Sequence, residues 1–230
     1  MSLGHGASIV RDGLVLHLDA ANKKSYPGTG TTWNDLSGNG NNGTLINGVG
    51  YTTDNNGALV FDGVDNYVSC GNPALLNFGT SPFTLSFVCL RTASGFQGGS
   101  YVNKGSGTYT GFGTRDGAFY LHSSLGLFAK VGLNTTLNNW SVETFVVNQT
   151  TSPYVLRYTN GLLNQLNYQE TPANLGSISN SNNFVIGLSQ AGGIDRYFNG
   201  NFSICTAYNR ALSDQEIQKN FNALRGRYGI

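Results

Sequence analysis

YFNGNFSICTAYNRALSDQE, residues 197–216, indicates a β-strand that runs directly into a helix. One face of the predicted strand collects the even-numbered positions: Phe198, Phe202, Ile204, Thr206 and Tyr208. This period of two is typical of a strand, and Asn199–Gly200 predicts a bulge within it. Ser213 lies three residues before Glu216, which is the spacing of a capping box. One short amphipathic α-helix is therefore predicted at the C-terminus.

The composition extends this interpretation to the other parts of the chain. Its 230 residues include 32 Gly, and only 11% are charged. Abundant Asn, Thr, Tyr and Phe favour strands joined by tight turns. We therefore predict an all-β fold, a sandwich or a barrel. No Pro/Ser-rich linker interrupts the strand patterns, so we predict an N-terminal arm over residues 1–13 and a single domain over residues 14–230.

Charge and cysteine content exclude several partners. A net charge of +1, with no cluster of Lys or Arg, argues against binding to nucleic acid or anionic membranes. No stretch approaches the ~18 apolar residues of a membrane span, and the first residues do not resemble a secretory signal, which predicts synthesis in a cytosol. Cys70, Cys89 and Cys205 are odd in number and far apart, which argues against disulfides and a zinc site. Cys89 and Cys205 lie in strand patterns and are predicted to be packing residues.

Several strands and turns are predicted along the chain. Phe83–Arg91 is the most apolar stretch and suits an interior strand. Ala118–His122 and Trp140–Val147 also read as strands. Asn160–Gly161 favours a hairpin turn into a strand over Leu162–Tyr168.

The segment Asp62-Gly63-Val64-Asp65 offers two interpretations. Oxygen-rich loops bind calcium, but an Asp before Gly in a tight turn more often bonds its own backbone. No metal ligands and no cofactor are assigned from the sequence, and calcium stays open as the alternative.

Seven segments together resemble, in order, the concanavalin A-like jelly-roll domains of the laminin-G type, over residues 14–230. They are FDGVDNYV (Phe61–Val68), SPFTLSF (Ser81–Phe87), NKG (Asn103–Gly105), the Trp140 strand, YTNG (Tyr158–Gly161), FVIG (Phe184–Gly187) and YFNGNFSICTAYNRALSDQEI (Tyr197–Ile217). The resemblance implies a two-sheet antiparallel β-sandwich. It also implies that sugars or protein surfaces bind to one sheet or to its rim loops. Some members hold calcium at that rim, where Asp116 and Asp195 are the acids that could contribute.

Retaining glycosidases occur in this superfamily, and their chemistry needs two carboxylates about 5 Å apart. The chain has only three glutamates, Glu143, Glu170 and Glu216, and no E-x-D-x-x-E arrangement. Glu143 has no acidic residue two or four positions away to share its strand face. We therefore assign no catalytic residues and predict that the protein is not an enzyme, with a glycoside hydrolase using an atypical carboxylate pair as an alternative.

Aromatic rings, amides and charged groups suit sugar binding, because rings stack on C–H faces and polar groups bond to hydroxyls. The predicted ligand-binding residues are Tyr101, Lys104, Tyr109, Arg115, Asp116, Asp195, Arg196 and Tyr197. The alternative is that the tyrosines are ordinary amphipathic residues of the sheet surface.

Residues 18–51 look most like laminin-G-type domains in virion proteins of tailed bacteriophages. That resemblance implies a capsid-decorating or fibre-associated protein, made in the host cytoplasm and located in the virion. Its expected partners are other virion proteins and cell-surface glycans, within a larger assembly or a homo-oligomer. The alternative is a secreted bacterial carbohydrate-binding adhesin.

Overall fold

The computed structural model describes residues 8–93, 100–105, 110–133, 135–171, 174–191 and 194–230. The strands, numbered in chain order, are β1 (Leu14–Asp19), β2 (Thr32–Trp33), β3 (Gly43–Ile46), β4 (Gly50–Thr52), β5 (Ala58–Asp62), β6 (Tyr67–Ser69), β7 (Phe83–Arg91), β8 (Val102–Gly105), β9 (Gly111–Arg115), β10 (Ala118–His122), β11 (Phe128–Gly132), β12 (Trp140–Val147), β13 (Val155–Thr159), β14 (Leu162–Leu163), β15 (Leu166–Glu170), β16 (Val185–Ile186), β17 (Leu188–Ala191), β18 (Ile194–Tyr197) and β19 (Asn199–Tyr208). Helix α1 (Asp214–Tyr228) follows, and Asp54–Asn56 and Ala74–Leu76 are short 3-10 helices.

Two large antiparallel sheets form the sandwich that the resemblance implies. The first sheet has the order β14–β13–β12–β7–β19–β5–β4, and β1 also pairs with β19. The second has the order β15–β11–β10–β9–β8–β16–β6–β3–β2, while β17 and β18 form a separate hairpin. Strand β7 lies between β12 and β19, the interior position predicted for Phe83–Arg91. The all-β prediction with one C-terminal helix is confirmed.

The core lies between the two sheets and is rich in aromatic rings. Phe119 of β10 stacks on Phe145 of β12 with ring centroids 4.3 Å apart, which joins the second sheet to the first. The ring centroids of Phe87 in β7 and of Tyr101, the residue before β8, are 5.2 Å apart. Such stacked pairs add about 0.5–1.5 kcal/mol each beyond the area that they bury. All three cysteines are free and buried, as predicted for Cys89 and Cys205.

Helix α1 covers the outer face of the first sheet. The predicted capping box is present, because Ser213 Oγ accepts a hydrogen bond from Glu216 N and Glu216 Oε2 accepts one from Ser213 N. Phe221 and Ile217 bury their side chains against residues of β7, β12 and β19. No helix in the described part of the chain has the length and apolar character to cross a membrane.

The bulge predicted at Asn199–Gly200 is wrong. Pairing of β19 with β7 is regular there and shifts instead between Phe202 and Ile204. The shift leaves Phe202 in the core between the sheets and Ile204 on the face under α1. Because α1 buries that second face, both faces of β19 are apolar, and simple alternation does not reveal where the register changes.

The single strand predicted over Leu162–Tyr168 is also wrong, although the Asn160–Gly161 turn before it is present. Strand β14 pairs with β13 in the first sheet, whereas β15 pairs with β11 in the second. Between them, the side chain of Gln165 bonds to β13, with Oε1 2.8 Å from Arg157 N and Nε2 2.9 Å from Val155 O. This amide replaces the backbone partner of β13, and the chain crosses to the other sheet.

Candidate functional site

Two of the predicted binding residues, Tyr101 and Lys104, are in the interior, which corrects their assignment to a ligand surface. The Tyr101 hydroxyl lies 2.6 Å from Thr135 Oγ1, and its ring is 1% exposed. Lys104 is fully buried, and its Nζ donates to Asn72 Oδ1 and Asn182 O, each at 2.7 Å. In β8 the alternation points Val102 and Lys104 inward and Asn103 outward. Tyr101 precedes β8, so the alternation within that strand does not determine the direction of its side chain.

Three of the predicted binding residues, Arg115, Asp116 and Arg196, lie close together. Arg115, Asp116 and Gly117 form a tight turn between β9 and β10, with Asp116 at φ 48° and Gly117 at φ 73°. Left-handed conformations at both central residues match the twist of a two-residue hairpin, which explains the Asp-Gly pair. Arg196 of β18 places its Nε 2.9 Å from Asp116 Oδ1. This ion pair ties the β17–β18 hairpin to the β9–β10 turn.

Asp195 and Tyr197 are neighbours of Arg196 in β18, so they project from the opposite face of the hairpin. There the Tyr197 hydroxyl donates to Asp195 Oδ2 at 3.3 Å, and Asp195 is exposed. These two residues do not share a surface with Arg115. Tyr109 lies outside the described residues.

A pocket opens on the outward face of the second sheet, next to the Arg115 turn. It is lined by parts of β8, β9, β10 and β17, and we call it the outer groove, defined by Asn103, Gly111, Gly113, Arg115, Tyr120, His122 and Ser189. Phe119 and Leu121 of β10 point into the core, so Tyr120 and His122 point outward. Strand β17 lies against β8 and β9 and contributes Ser189.

Tyr120 is the central side chain of the groove. The Arg115 guanidinium carbon lies 4.3 Å from the centroid of the Tyr120 ring, and Lys130 Nζ lies 6.0 Å from it. The His122 ring is nearly parallel to that of Tyr120, with centroids 5.7 Å apart and planes at 12°. Cation–π and stacking contacts of this kind hold the Tyr120 ring in a defined orientation.

Glycine at position 113 leaves the Tyr120 ring accessible. Gly113 pairs with Asn103 on one side and with Tyr120 on the other, so any side chain there would lie between them. A Cβ on Gly113 would come within 2.5 Å of Asn103 Oδ1. The floor of the groove is therefore backbone, and the walls are side chains.

His122 supplies a neutral polar edge. Burial, followed by the nearby Arg115 charge, lowers the pKa of His122 below its ordinary value, so the ring is uncharged at neutral pH. Its Nε2 has no hydrogen-bond partner among the described residues. Tyr120, His122 and Asn103 were not predicted as site residues, although the alternation of Phe119 and Leu121 with Tyr120 and His122 in a predicted strand is a signal that could have found the two rings.

The acidic residues near the rim make no metal cluster. In the described ranges, no three His, Cys, Asp or Glu side chains are placed to hold a metal ion. Asp62 Oδ1 instead accepts from Val64 N at 2.8 Å and from Asp65 N at 3.4 Å. This is the backbone-bonded alternative for the Asp-Gly turn, which here forms the corner between β5 of the first sheet and β6 of the second.

Each glutamate has a partner within the protein. Glu143 and Arg157 form a fully buried ion pair, with Glu143 Oε2 2.9 Å from Arg157 Nε. Glu170 accepts hydrogen bonds from Ser152 Oγ and from the Tyr168 hydroxyl. Glu216 caps α1 and accepts two bonds from the Arg210 guanidinium. None of the three lines the outer groove.

The laminin-G model of the concanavalin A-like lectin/glucanases superfamily matches residues 62–218. The chain belongs to this superfamily. The match covers every strand of the outer groove, from β8 to β10 and on to β17. A search of curated protein sequences found no match.

Three solved structures have the same lectin-like fold at low sequence identity. The binding domain of Paraclostridial Mosquitocidal Protein 1 has a TM-score of 0.70 at 19% identity, over 93% of this chain and 52% of that one. The binding domain of botulinum neurotoxin DC, in complex with SialylT, has 0.68 at 16%, over 94% and 52%. Domain 4 of AbnA, an extracellular arabinanase from Geobacillus stearothermophilus, in complex with arabinotriose, has 0.63 at 14%, over 90% and 97%. The chain thus spans about half of each toxin domain.

Proposed function

We propose that this chain is a non-catalytic carbohydrate-binding module whose ligand occupies the outer groove. The observation that carries the proposal is the outward-facing ring of Tyr120, held by Arg115 and accessible above Gly113. A fixed aromatic face stacks on the C–H face of a sugar ring. Polar groups of Asn103, His122 and Ser189 around it can bond to hydroxyls.

The similar structures support a role in binding. Two of the three are binding domains of toxins, and the complexes are with SialylT and with arabinotriose. The superfamily also contains glucanases by name, so the absence of catalysis is argued from this chain's own carboxylates. Glu143 is fully buried in its ion pair with Arg157, and the other two glutamates lie outside the groove. No pair of glutamates therefore faces a ligand there.

Substitution of Tyr120 tests this function. Tyr120→Ala removes the stacking face and should weaken binding of an oligosaccharide identified on a glycan array by about tenfold, equal to ~1.4 kcal/mol. Isothermal titration calorimetry measures the change. Tyr67→Ala is the matched control, because Tyr67 faces outward from β6 of the same sheet, away from the groove. Equal binding by both variants, or no glycan bound by the unmodified protein, would contradict the proposal.

We further propose that the module is a virion protein of a tailed bacteriophage, as capsid decoration or fibre component. Its support is the resemblance of residues 18–51 to phage versions of the domain, together with three buried free thiols, which suit folding in a reducing cytosol. Mass spectrometry of purified phage particles tests it. Presence of the protein in the particles is expected, whereas its presence only in a bacterial culture supernatant would favour a secreted adhesin.

A further inference from the structure

The outer groove carries positive charge that no acid compensates. Arg115 and Lys130 both lie near the Tyr120 ring, and neither forms a salt bridge among the described residues. Asp116, next to Arg115 in the β9–β10 turn, is paired with Arg196. The segments outside the described ranges contain no Asp, Glu, Lys or Arg, so they cannot neutralise the pair.

This local charge is distinctive in a chain whose net charge is only +1. Two cations near one ring repel each other, and a ligand anion between them would relieve that repulsion. A guanidinium binds a carboxylate through two parallel hydrogen bonds, which fixes the orientation of the anion as well as its affinity. A neutral sugar has no charge to pair with these two cations.

Resting on the proposed function, we propose that the outer groove selects glycans that carry a carboxylate, with Tyr120 under the sugar ring and Arg115 on the acid. Lys130 adds a second, longer-range attraction from the neighbouring strand β11. A nucleic acid is the less suitable polyanion, because its repeated phosphates need a track of basic residues, and here only Arg115 in the groove and Lys130 near Tyr120 are available among the described residues.

Matched sugar pairs separate the acid from the rest of the ligand. Trigalacturonic acid and its methyl ester differ in the charge and the ester methyl groups of their carboxyls, and 3′-sialyllactose and lactose differ by the sialic acid, so the two arms distinguish hexuronic from sialic acids. Titration calorimetry should give at least about tenfold tighter binding for the acidic member of one pair. In Arg115→Gln that preference, taken as the ratio of the two dissociation constants within one pair, should fall below about threefold.

Lys219→Gln is the matched control, because this substitution also removes one positive charge. Lys219 is exposed on α1, at the opposite side of the sandwich. Lys130→Gln is the second test variant and should lower the acid preference by a smaller factor, which guards against misfolding of a single mutant.

Equal binding of acid and neutral partners, or an acid preference that Arg115→Gln retains, would overturn this inference alone. No binding by any of the four sugars would also overturn this inference, whereas the proposed function fails only if the unmodified protein binds no glycan on the array. Tighter binding of oligo(dT) than of either acid would replace the glycan with a nucleic acid.

Discussion

Lys104 illustrates how a polar side chain can serve the interior of a sandwich. Its ammonium group joins two loops, through Asn72 and the carbonyl of Asn182, and has no acidic partner in the part of the chain that the structure describes. Removal from water lowers the pKa of Lys104 to about 8. The side chain is therefore part of the support behind the outer groove, since its neighbour Asn103 faces the ligand side.

The pKa of Lys104 predicts a pH dependence of stability. Between about pH 8 and pH 10.5 the folded chain has released this proton while the unfolded chain still holds it, so folding gains stability as pH rises. Relative to Lys104→Met, the free energy of unfolding of the unmodified protein should rise by up to about 3 kcal/mol over that range. Urea unfolding at several pH values measures it. Parallel curves for the two proteins would show that Lys104 is not buried as described.

Sequence reasoning at the residue scale succeeded for caps and turns and failed for side-chain direction. The capping box of Ser213 and Glu216 and the Asn160–Gly161 turn follow from local backbone preferences and hydrogen bonds, which nearby residues determine. The burial of Lys104 depends on which face of β8 meets the other sheet. The face that β8 turns inward is set by its pairing with β9 and with β16, and β16 lies far along the chain.

At the scale of elements, strands with unequal faces were predictable. β10 and β12 have the predicted bounds, Ala118–His122 and Trp140–Val147. The bulge of β19 was misplaced because α1 covers the second face of the strand. β14 and β15 were predicted as one strand because the side chain of Gln165, which takes the place of a backbone partner of β13 between them, leaves no signal in the sequence. No hairpin was predicted over β17–β18, so its position beside the outer groove was not foreseen.

The cap of α1 predicts a loss of stability in acid. Hydrogen bonds from Arg210, and then from the backbone of Ser213, lower the pKa of Glu216 to about 2. Because the unfolded chain binds this proton more readily, the stabilisation is present above about pH 4.5 and is lost as pH falls towards 2. Glu216→Gln should flatten that part of the stability profile, measured by thermal unfolding between pH 2 and pH 6. An unchanged acid slope in the variant would contradict the cap's contribution.

The whole molecule has two outer faces with different roles. Helix α1 closes the outer face of the first sheet, so the second sheet is the one that presents an open surface. The groove lies there, on strands whose inner faces pack in the aromatic core. A rigid sheet therefore positions Tyr120 and His122, whereas the hairpin adds Ser189 from one side.

The free cysteines give a prediction for the whole molecule. All three are buried, and burial raises the pKa of the Cys70 thiol to about 12. Thiolates are the reactive form, so the native protein should react slowly with a thiol reagent such as DTNB. The denatured protein should react with three equivalents of the reagent, one for each thiol. A reducing agent should leave its thermal unfolding unchanged. Rapid labelling of the native protein, or unfolding that depends on reductant, would contradict the described interior.

The most direct test of the account is an NMR titration of the isotope-labelled protein with the tightest-binding oligosaccharide. If the glycan occupies the outer groove, the largest shifts should fall on the amides of Asn103 and Gly113 and on the rings of Tyr120 and His122. The signals of Ile217 and Phe221 in α1 should stay in place, since α1 lies on the other face of the sandwich. Shifts centred on α1 or on the Asp62–Asp65 corner would contradict the assignment of the site.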